Sequence, residues 1–207
     1  MHPLLEKELK TYSLPAIRKL VARFFGENEA ANVYLDLQEE ESLPLMIDHA
    51  AIRCLDIESR AAEFLGTGYR CLNEIIEFPE QGWWAKIYRK EGHPVLFIDQ
   101  DYHDRKETRS PITPWVRTFG DQVLHHIAVR VSDIDRVKNA LERKGVEFSG
   151  NVIGPPGTRL RQIFTAAEVR NGEPYTVLEL TERNRYDGFY PEQADGLMKS
   201  SVRTRTL

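Results

Sequence analysis

The sequence predicts an α+β fold in which two βαβββ modules form a cupped mixed sheet, preceded by an N-terminal helical extension. Three observations predict it. First, Asp48-His49-Ala50-Ala51-Ile52-Arg53 recurs as His125-His126-Ile127-Ala128-Val129-Arg130, sharing the histidine, an alanine two residues on, a β-branched residue and an arginine four residues on. Second, each copy is followed by a helical stretch and then three strand-like stretches. Third, Val95-Leu96-Phe97-Ile98 matches Val177-Leu178-Glu179-Leu180 in the last strand of each module. The histidines are 77 residues apart and these strands 82, a difference that one loop insertion absorbs.

The elements follow in order. Residues 1–44 form the extension: Leu14, Ile17, Leu20, Val21, Phe24 and Phe25 recur at helical spacing behind Pro15, which suits a first turn. A second helix covers Glu29 to Glu39, and Ser42 and Pro44 end it. The first module spans 45–101. Met46 to Leu55 is a strand, Asp56 caps a helix through Leu65, and Gly66 and Gly68 break it. Strands over Tyr69–Phe78, Trp83–Arg89 and Pro94–Ile98 complete the unit. Residues 102–122, part of a polar stretch with Pro111 and Pro114, read as a connecting loop. The second module spans 123–183. Val123–Val131 is a strand, Ser132 caps a helix through Lys144, and Gly145 ends it. Extended stretches over Val146–Val152, Leu160–Val169 and Tyr175–Thr181 follow. Residues 184–207 form a polar tail with a short helix over Ala194–Ser201.

Composition narrows the functional classes. With 41% apolar and 29% charged residues in 207, the chain can bury a core and stay soluble. A net charge of −4 without a basic block argues against nucleic acid. No apolar run approaches the roughly 20 residues of a membrane span. Met1–Lys10 carries two glutamates and no apolar core, so it does not read as a secretion signal. Cys54 and Cys71 then fit a reduced, cytoplasmic protein in which both are small buried side chains.

A strand sends positions two apart to one face. His49, Ala51 and Arg53 therefore share a face, as do His126, Ala128 and Arg130, and alternation puts His125 on the opposite one. Glu179 sits among Val177, Leu178 and Leu180, where an ionised carboxylate costs several kcal/mol unless it is paired or bound to metal. Arg130 and Arg183 are its candidate ion-pair partners. The alternative is a metal site: His49, His126 and Glu179 supply the two imidazoles and one carboxylate of a facial triad, with positions left for substrate and oxygen. Arg53 and Arg130 face the same cup. Guanidinium suits carboxylate recognition, although each could instead neutralise a neighbouring acid. Trp83 and Trp84 lie on opposite faces of their strand. His93 and His103 lie by loops and read as surface residues.

These residues resemble the vicinal oxygen chelate superfamily, whose paired modules cup a metal. The second module is similar to the C-terminal half of 4-hydroxyphenylpyruvate dioxygenases through His125-His126-Ile127-Ala128-Val129, Ser132-Asp133-Ile134, Leu160-Arg161-Gln162-Ile163-Phe164-Thr165 and Val177 to Arg183. His49-Ala50-Ala51-Ile52-Arg53 is more similar to the histidine motif of the 2-oxoadipate dioxygenase/decarboxylase family, in which the arginine contacts substrate. The resemblance covers roughly 45–185, and neither family matches end to end. It implies that Gln162 lies in the pocket and orients substrate. It also implies that the position of Phe97 often carries a fourth ligand in glyoxalase-like and epimerase-like members. Phenylalanine cannot ligate, which points to oxygen activation, unless a shifted register puts Asp99 there.

The expected function is a mononuclear non-haem Fe(II) dioxygenase acting on a small anionic 2-oxo acid with O2, by oxidative decarboxylation with hydroxylation. Arg53, Arg130 and Gln162 are its substrate-binding candidates. Phe97, Asp99, Ser200 and Ser201 are candidate pocket residues, and the tail with Phe189 and Met198 is a candidate lid. One alternative is a Zn, Ni or Mn lyase or isomerase with Asp99 or Glu77 as fourth ligand. The other is a non-catalytic binding protein of the same fold. A homodimer is open in all three.

Overall fold

Residues 1–102 and 110–202 are described by a computed structural model. His103 and part of the expected connecting loop lie outside the described residues. The first module is β1 (Ile47–Cys54), α4 (Ile57–Leu65), β2 (Arg70–Phe78), β3 (Trp83–Arg89) and β4 (Val95–Asp101). The second is β5 (Leu124–Val131), α6 (Ile134–Arg143), β6 (Leu160–Phe164) and β9 (Val177–Arg183), with a small separate ribbon of β7 (Val169–Arg170) and β8 (Glu173–Pro174). One sheet runs through both modules in the order β2-β3-β4-β1-β5-β9-β6. The expected strand over Val146–Val152 is reduced to isolated bridges, Phe148 to Thr165 and Ile153 to Gln162, so this sheet has seven strands. The turn around Gly154 explains the break. Its φ is +94°, and a Cβ there would lie 2.4 Å from the Leu160 carbonyl oxygen.

The two modules meet at β1 and β5, which pair antiparallel, and the register obeys a pseudo-twofold. Ile47 opposes Val129 and His49 opposes Ala128; the equivalent pairs are Leu124 with Ile52 and His126 with Ala51. The outer strands repeat the relation. β4 runs parallel to β1 with Val95 beside His49, and β9 runs parallel to β5 with Val177 beside His126. Phe97 and Glu179 are therefore structural equivalents, as the sequence match predicts.

Alternation sorts the side chains into two cores. Ala50, Ile52, Leu96, Ile98, Ile127, Val129, Leu178 and Leu180 face an outer layer of helices. That layer includes α4, α6 and the extension helices α2 (Pro15–Glu27) and α3 (Glu29–Glu40). Burial of Ile17, Leu20, Val21, Phe24 and Phe25 follows the α2 stripe read from sequence. The Glu168 carboxylate accepts the Glu29 and Ala30 amides at the start of α3, which ties the extension to the second module. An additional helix, α1 (Pro3–Thr11), was not predicted; only Leu5 and Leu9 are buried in it, too short a pattern to read.

Two further readings are corrected. Asp133, not Ser132, caps α6: its carboxylate accepts the Arg136 amide at 2.9 Å, as Asp56 accepts Ser59 at 2.7 Å in α4. The polar connection contains a helix, α5 (Ile112–Phe119). Pro111 and Pro114 hide it, but both fall at its first turn, where proline is tolerated. Ile112, Trp115 and Val116 bury its apolar face in the cup. The tail folds as α7 (Pro191–Ser200), and Leu197 and Met198 are buried against the same side.

Candidate metal centre

The concave face carries the chemistry. Ala51 lies beside Phe97 and Ala128 beside Glu179, so each long side chain has a small neighbour and space to project into the cup. Glu179 is 1% exposed and His49 3%. His49 Nε2 lies 3.2 Å and His126 Nε2 3.5 Å from Glu179 Oε2. One ligand atom from each of the three lies within 4.8 Å of the others, the one such cluster of metal-ligand type among the described residues.

The remaining polar atoms of the trio are held from outside. Glu179 Oε1 accepts from Gln162 Nε2 at 2.6 Å and Thr181 Oγ1 at 2.7 Å. His49 Nδ1 meets Asp48 Oδ2 at 2.9 Å, and His126 Nδ1 meets His125 Nδ1 at 3.1 Å. Glu179 Oε2 alone is buried without a hydrogen bond, between two imidazole nitrogens. A buried, unsatisfied carboxylate oxygen costs about 1–3 kcal/mol or more. A divalent cation at that point satisfies it and both nitrogens, so the residues fit a metal. Neutral imidazoles bound through Nε2 carry their proton on Nδ1, which then donates to Asp48 and to His125.

Both outer partners arrive by the same device. The β1–β5 ladder slips between Ile47 and His49 on one strand and between Leu124 and His126 on the other. Asp48 and His125 are the extra residues of two symmetry-related bulges. Each bulge lets two successive side chains face the cup while the flanking apolar pairs, Ile47 with Ala50 and Leu124 with Ile127, face the helices. This overturns the placement of His125 on the far side of the sheet: His125 lines the same cavity as His126. The signal was present in sequence as apolar residues three apart around each histidine, a spacing that regular alternation forbids.

Electrostatics separate the two histidines in the metal-free protein. Burial pushes His49 down, but the Glu179 and Asp48 carboxylates outweigh it and raise its pKa to about 9. Burial dominates at His126 and lowers it to about 3, against the opposing pull of Glu179. Burial alone would raise Asp48; His49 and Arg183 hold it well below the usual carboxylate range instead.

Asp48 also collects both candidate arginine partners of Glu179. Arg130 reaches Asp48 Oδ1 at 2.8 Å, and Arg183 grips Oδ1 at 2.7 Å and Oδ2 at 2.8 Å. Arg130 is not among the residues lining the cavity. Arg183 further donates to the carbonyls of Tyr186 and Gly188 at 3.0 and 2.7 Å, and lies 4.5 Å over Phe189. Phe189 packs edge-on against Phe97 and His49, at centroid distances of 4.5 and 5.3 Å. The start of the tail is thus strapped across the metal centre through the acid that holds His49. Sequence reading missed Asp48 as a partner and Arg183 as a strap, because their roles depend on the bulge.

The other candidates are placed as follows. Gln162 lines the cavity, but its amide is spent on Glu179. Phe97 and Asp99 line it too, and Asp99 is not part of the trio. Arg53 lies in its wall, donating to Ser201 Oγ at 3.1 Å. Ser200 caps a local carbonyl, Leu197 O, instead. Trp83 is buried in the cup and Trp84 packs toward the outer core. His93 stacks on Tyr12 at 5.8 Å, away from the cavity. Glu77 is bonded by the Tyr102 hydroxyl outside it. Both cysteines are free. The cavity is small, about 60 Å³.

No family model and no curated protein matches the chain. Solved structures do. Hydroxyglutarate synthase from Oryza sativa, in complex with 2-oxoadipate, superimposes with a TM-score of 0.71 at 18% identity over 96% of this chain and 93% of that one. A 4-hydroxymandelate synthase variant from Streptomyces coelicolor gives 0.61 at 20% identity over 76% of this chain and 53% of that one. Methylmalonyl-CoA epimerase from the same organism gives 0.50 at 21% identity over 68% and 96%. These similarities show the fold, and the chemistries attached to it differ.

Proposed function

We propose that this chain, which has the glyoxalase-like fold of the vicinal oxygen chelate proteins, is a mononuclear Fe(II) dioxygenase that acts on a 2-oxo acid. The observation that carries the reading is the orphaned Glu179 Oε2 between two imidazole Nε2 atoms, with Phe97 at the symmetry-equivalent position. Three protein ligands and a non-ligating fourth position leave room for a bidentate substrate and O2. Hydroxyglutarate synthase with bound 2-oxoadipate and 4-hydroxymandelate synthase, among the similar folds, support the substrate class.

When bound, the ion would supply oxygen activation and an anchor for the substrate's carboxylate and keto oxygens. The chain's own residues do the rest. His49, His126 and Glu179 fix the ligand geometry. Asp48 and His125 hold the two imidazole tautomers, and Gln162 and Thr181 turn Glu179 inward. Arg53 supplies positive charge in the wall, and Phe97, Phe164 and Phe189 exclude water from the reacting end. Anaerobic loading with Fe(II), then oxygen uptake and CO2 release with aromatic, aliphatic and dicarboxylic 2-oxo acids, tests the proposal. Uptake matched by CO2 is the expected result; neither signal across the panel refutes it.

A second reading is a divalent-metal isomerase or lyase. Its specific support is Asp99, a cavity-lining carboxyl that burial pushes up to about 7, a range suited to proton transfer. That activity would run without oxygen and with Zn, Ni or Mn, so oxygen dependence separates the two.

A further inference from the structure

Oxygen chemistry at the trio has oxidisable neighbours. Phe97, Phe164 and Phe189 line the cavity beside the two histidines. Each is open to attack whenever O2 is reduced with no substrate to take the oxygen. A means of discharging that oxidising power has to begin at a ligand and end near solvent, and one side of the site has such a connection.

The connection runs outward from His126. Its Nδ1 lies 3.1 Å from His125 Nδ1, one hydrogen bond between the two rings. His125 meets Trp115 of α5 edge-on, at a centroid distance of 5.6 Å. Trp115 lies nearly parallel to Tyr175, just before β9, at 6.2 Å and 13°. Trp115 Nε1 also donates to the Tyr175 carbonyl oxygen at 2.7 Å. The Tyr175 hydroxyl donates to Glu27 Oε2, at the end of α2, at 2.5 Å. His125, Trp115 and Tyr175 are all buried, whereas the Glu27 side chain is 27% exposed. Only the last partner in the series meets water.

Packing explains aromatic contacts in general, but the charges around this series also decide where an electron is lost. Burial and the Glu27 carboxylate push the Tyr175 phenol up to about 12, so it keeps its proton. Bonds from Tyr175 and Arg23 hold Glu27 as a carboxylate, able to receive one. The Arg53 guanidinium carbon lies 5.7 Å over the Trp115 ring and repels positive charge on it. The Trp115 N–H faces an amide carbonyl, too weak a base to relieve that charge by taking the proton. Tyr175 has no such obstacle. Its proton crosses one hydrogen bond to Glu27, and the radical left behind is neutral, so Arg170, 4.7 Å over the ring, does not repel it.

We propose that His125, Trp115 and Tyr175 form an electron path through which Tyr175 discharges the metal centre after an uncoupled reaction with O2. One electron passes from the Tyr175 phenol to the oxidised metal, and the phenol proton passes to Glu27. A thiol in solution then gives an electron back to Tyr175 and is itself oxidised, while Glu27 returns the proton. The proposal rests on the proposed function only for the source of the oxidising equivalent.

Hydrogen peroxide supplies that equivalent directly, whatever the substrate. Fe(II)-loaded wild type, Tyr175→Phe and Glu27→Gln are each mixed with one equivalent under nitrogen. The samples are frozen for electron paramagnetic resonance, then digested for peptide mass spectrometry. Each peroxide takes one electron from Fe(II) and one from Tyr175 and ends as water. Wild type gives a tyrosyl radical signal and leaves Phe97, Phe164 and Phe189 intact. Tyr175→Phe loses the signal and carries inserted oxygen on those rings. Glu27→Gln keeps the hydrogen bond but cannot take the proton, so it also loses the signal, and it decides the question if Tyr175→Phe fails to fold. A signal of wild-type size in either variant, or no radical and equal ring oxidation in all three proteins, overturns the path and leaves the proposed function standing. A Tyr175 radical in a protein that consumes no oxygen with any 2-oxo acid keeps the path and overturns that function. Failure of wild type to hold iron overturns both.

Discussion

Replacing Asp99 with asparagine removes one titrating carboxyl and preserves its shape, so its effect on stability can be worked out against pH. Burial is the main cause of the rise in the Asp99 pKa from 3.8 to about 7, which Arg53 and His49 only partly oppose. The folded state therefore holds the Asp99 proton more tightly than the unfolded chain. As pH climbs from about 4 to about 7, the unfolded chain loses this proton first, and wild-type stability falls through that window before levelling off. At about 1.4 kcal/mol per pKa unit, the full loss is on the order of 4 kcal/mol, of which roughly 3 kcal/mol accrues between about pH 5 and about pH 8. Asparagine has no such loss. Its melting temperature relative to wild type should rise by about 5–10 °C between those two conditions, for a chain of this size. The assay is thermal unfolding of metal-free wild type and Asp99→Asn across that range. A difference in melting temperature that stays constant with pH would show that Asp99 ionises normally, and would remove the basis for an unspent buried carboxyl in the cavity.

Three further outcomes follow from the ligand surroundings. Asp48→Leu weakens metal binding by about 10–100-fold in direct titration, because His49 loses the acceptor that fixes its Nδ1 proton. The same substitution costs about 3–5 kcal/mol in denaturant unfolding, since Arg183 is left buried without its anion. His125→Leu lowers metal affinity about 10-fold or more, whereas His125→Gln, whose side-chain oxygen can accept from His126 Nδ1, restores part of it. Arg183→Met releases the Tyr186–Phe189 segment, which limited proteolysis at that segment detects as faster cleavage than in wild type.

The modular fold was legible because its signals are local and repeated. The hexapeptide copies, the caps at Asp56 and the period-two apolar runs each carry their meaning within a few residues. The equivalence of Phe97 and Glu179 followed from the same repeat, and the ladder register repeats it. Three features were not legible for physical reasons. A bulge changes the face of one residue without changing its neighbours' composition, so His125 was placed on the wrong side and Asp48 went unnoticed. The strand expected over Val146–Val152 has the right residues, but the turn at Gly154 and Gly157 leaves it only two bridges to the sheet. Helix α5 is hidden in the sequence because Pro111 and Pro114 break helices except at the N-cap and first turn, the places they occupy. Arg130 shares its direction with Arg53 in sequence, yet Asp48 captures it, and capture is a property of three-dimensional distance alone.

The proposed function requires that His49, His126 and Glu179 hold one divalent ion between them. Metal analysis of protein purified without added metal, beside His49→Ala and Glu179→Ala purified alike, tests that claim most directly. About one bound ion per chain in wild type, and about tenfold less in either variant, is the result predicted from the orphaned carboxylate oxygen. Equal metal content in all three proteins, or none in wild type even after incubation with Fe(II), Zn(II) and Mn(II), would contradict it.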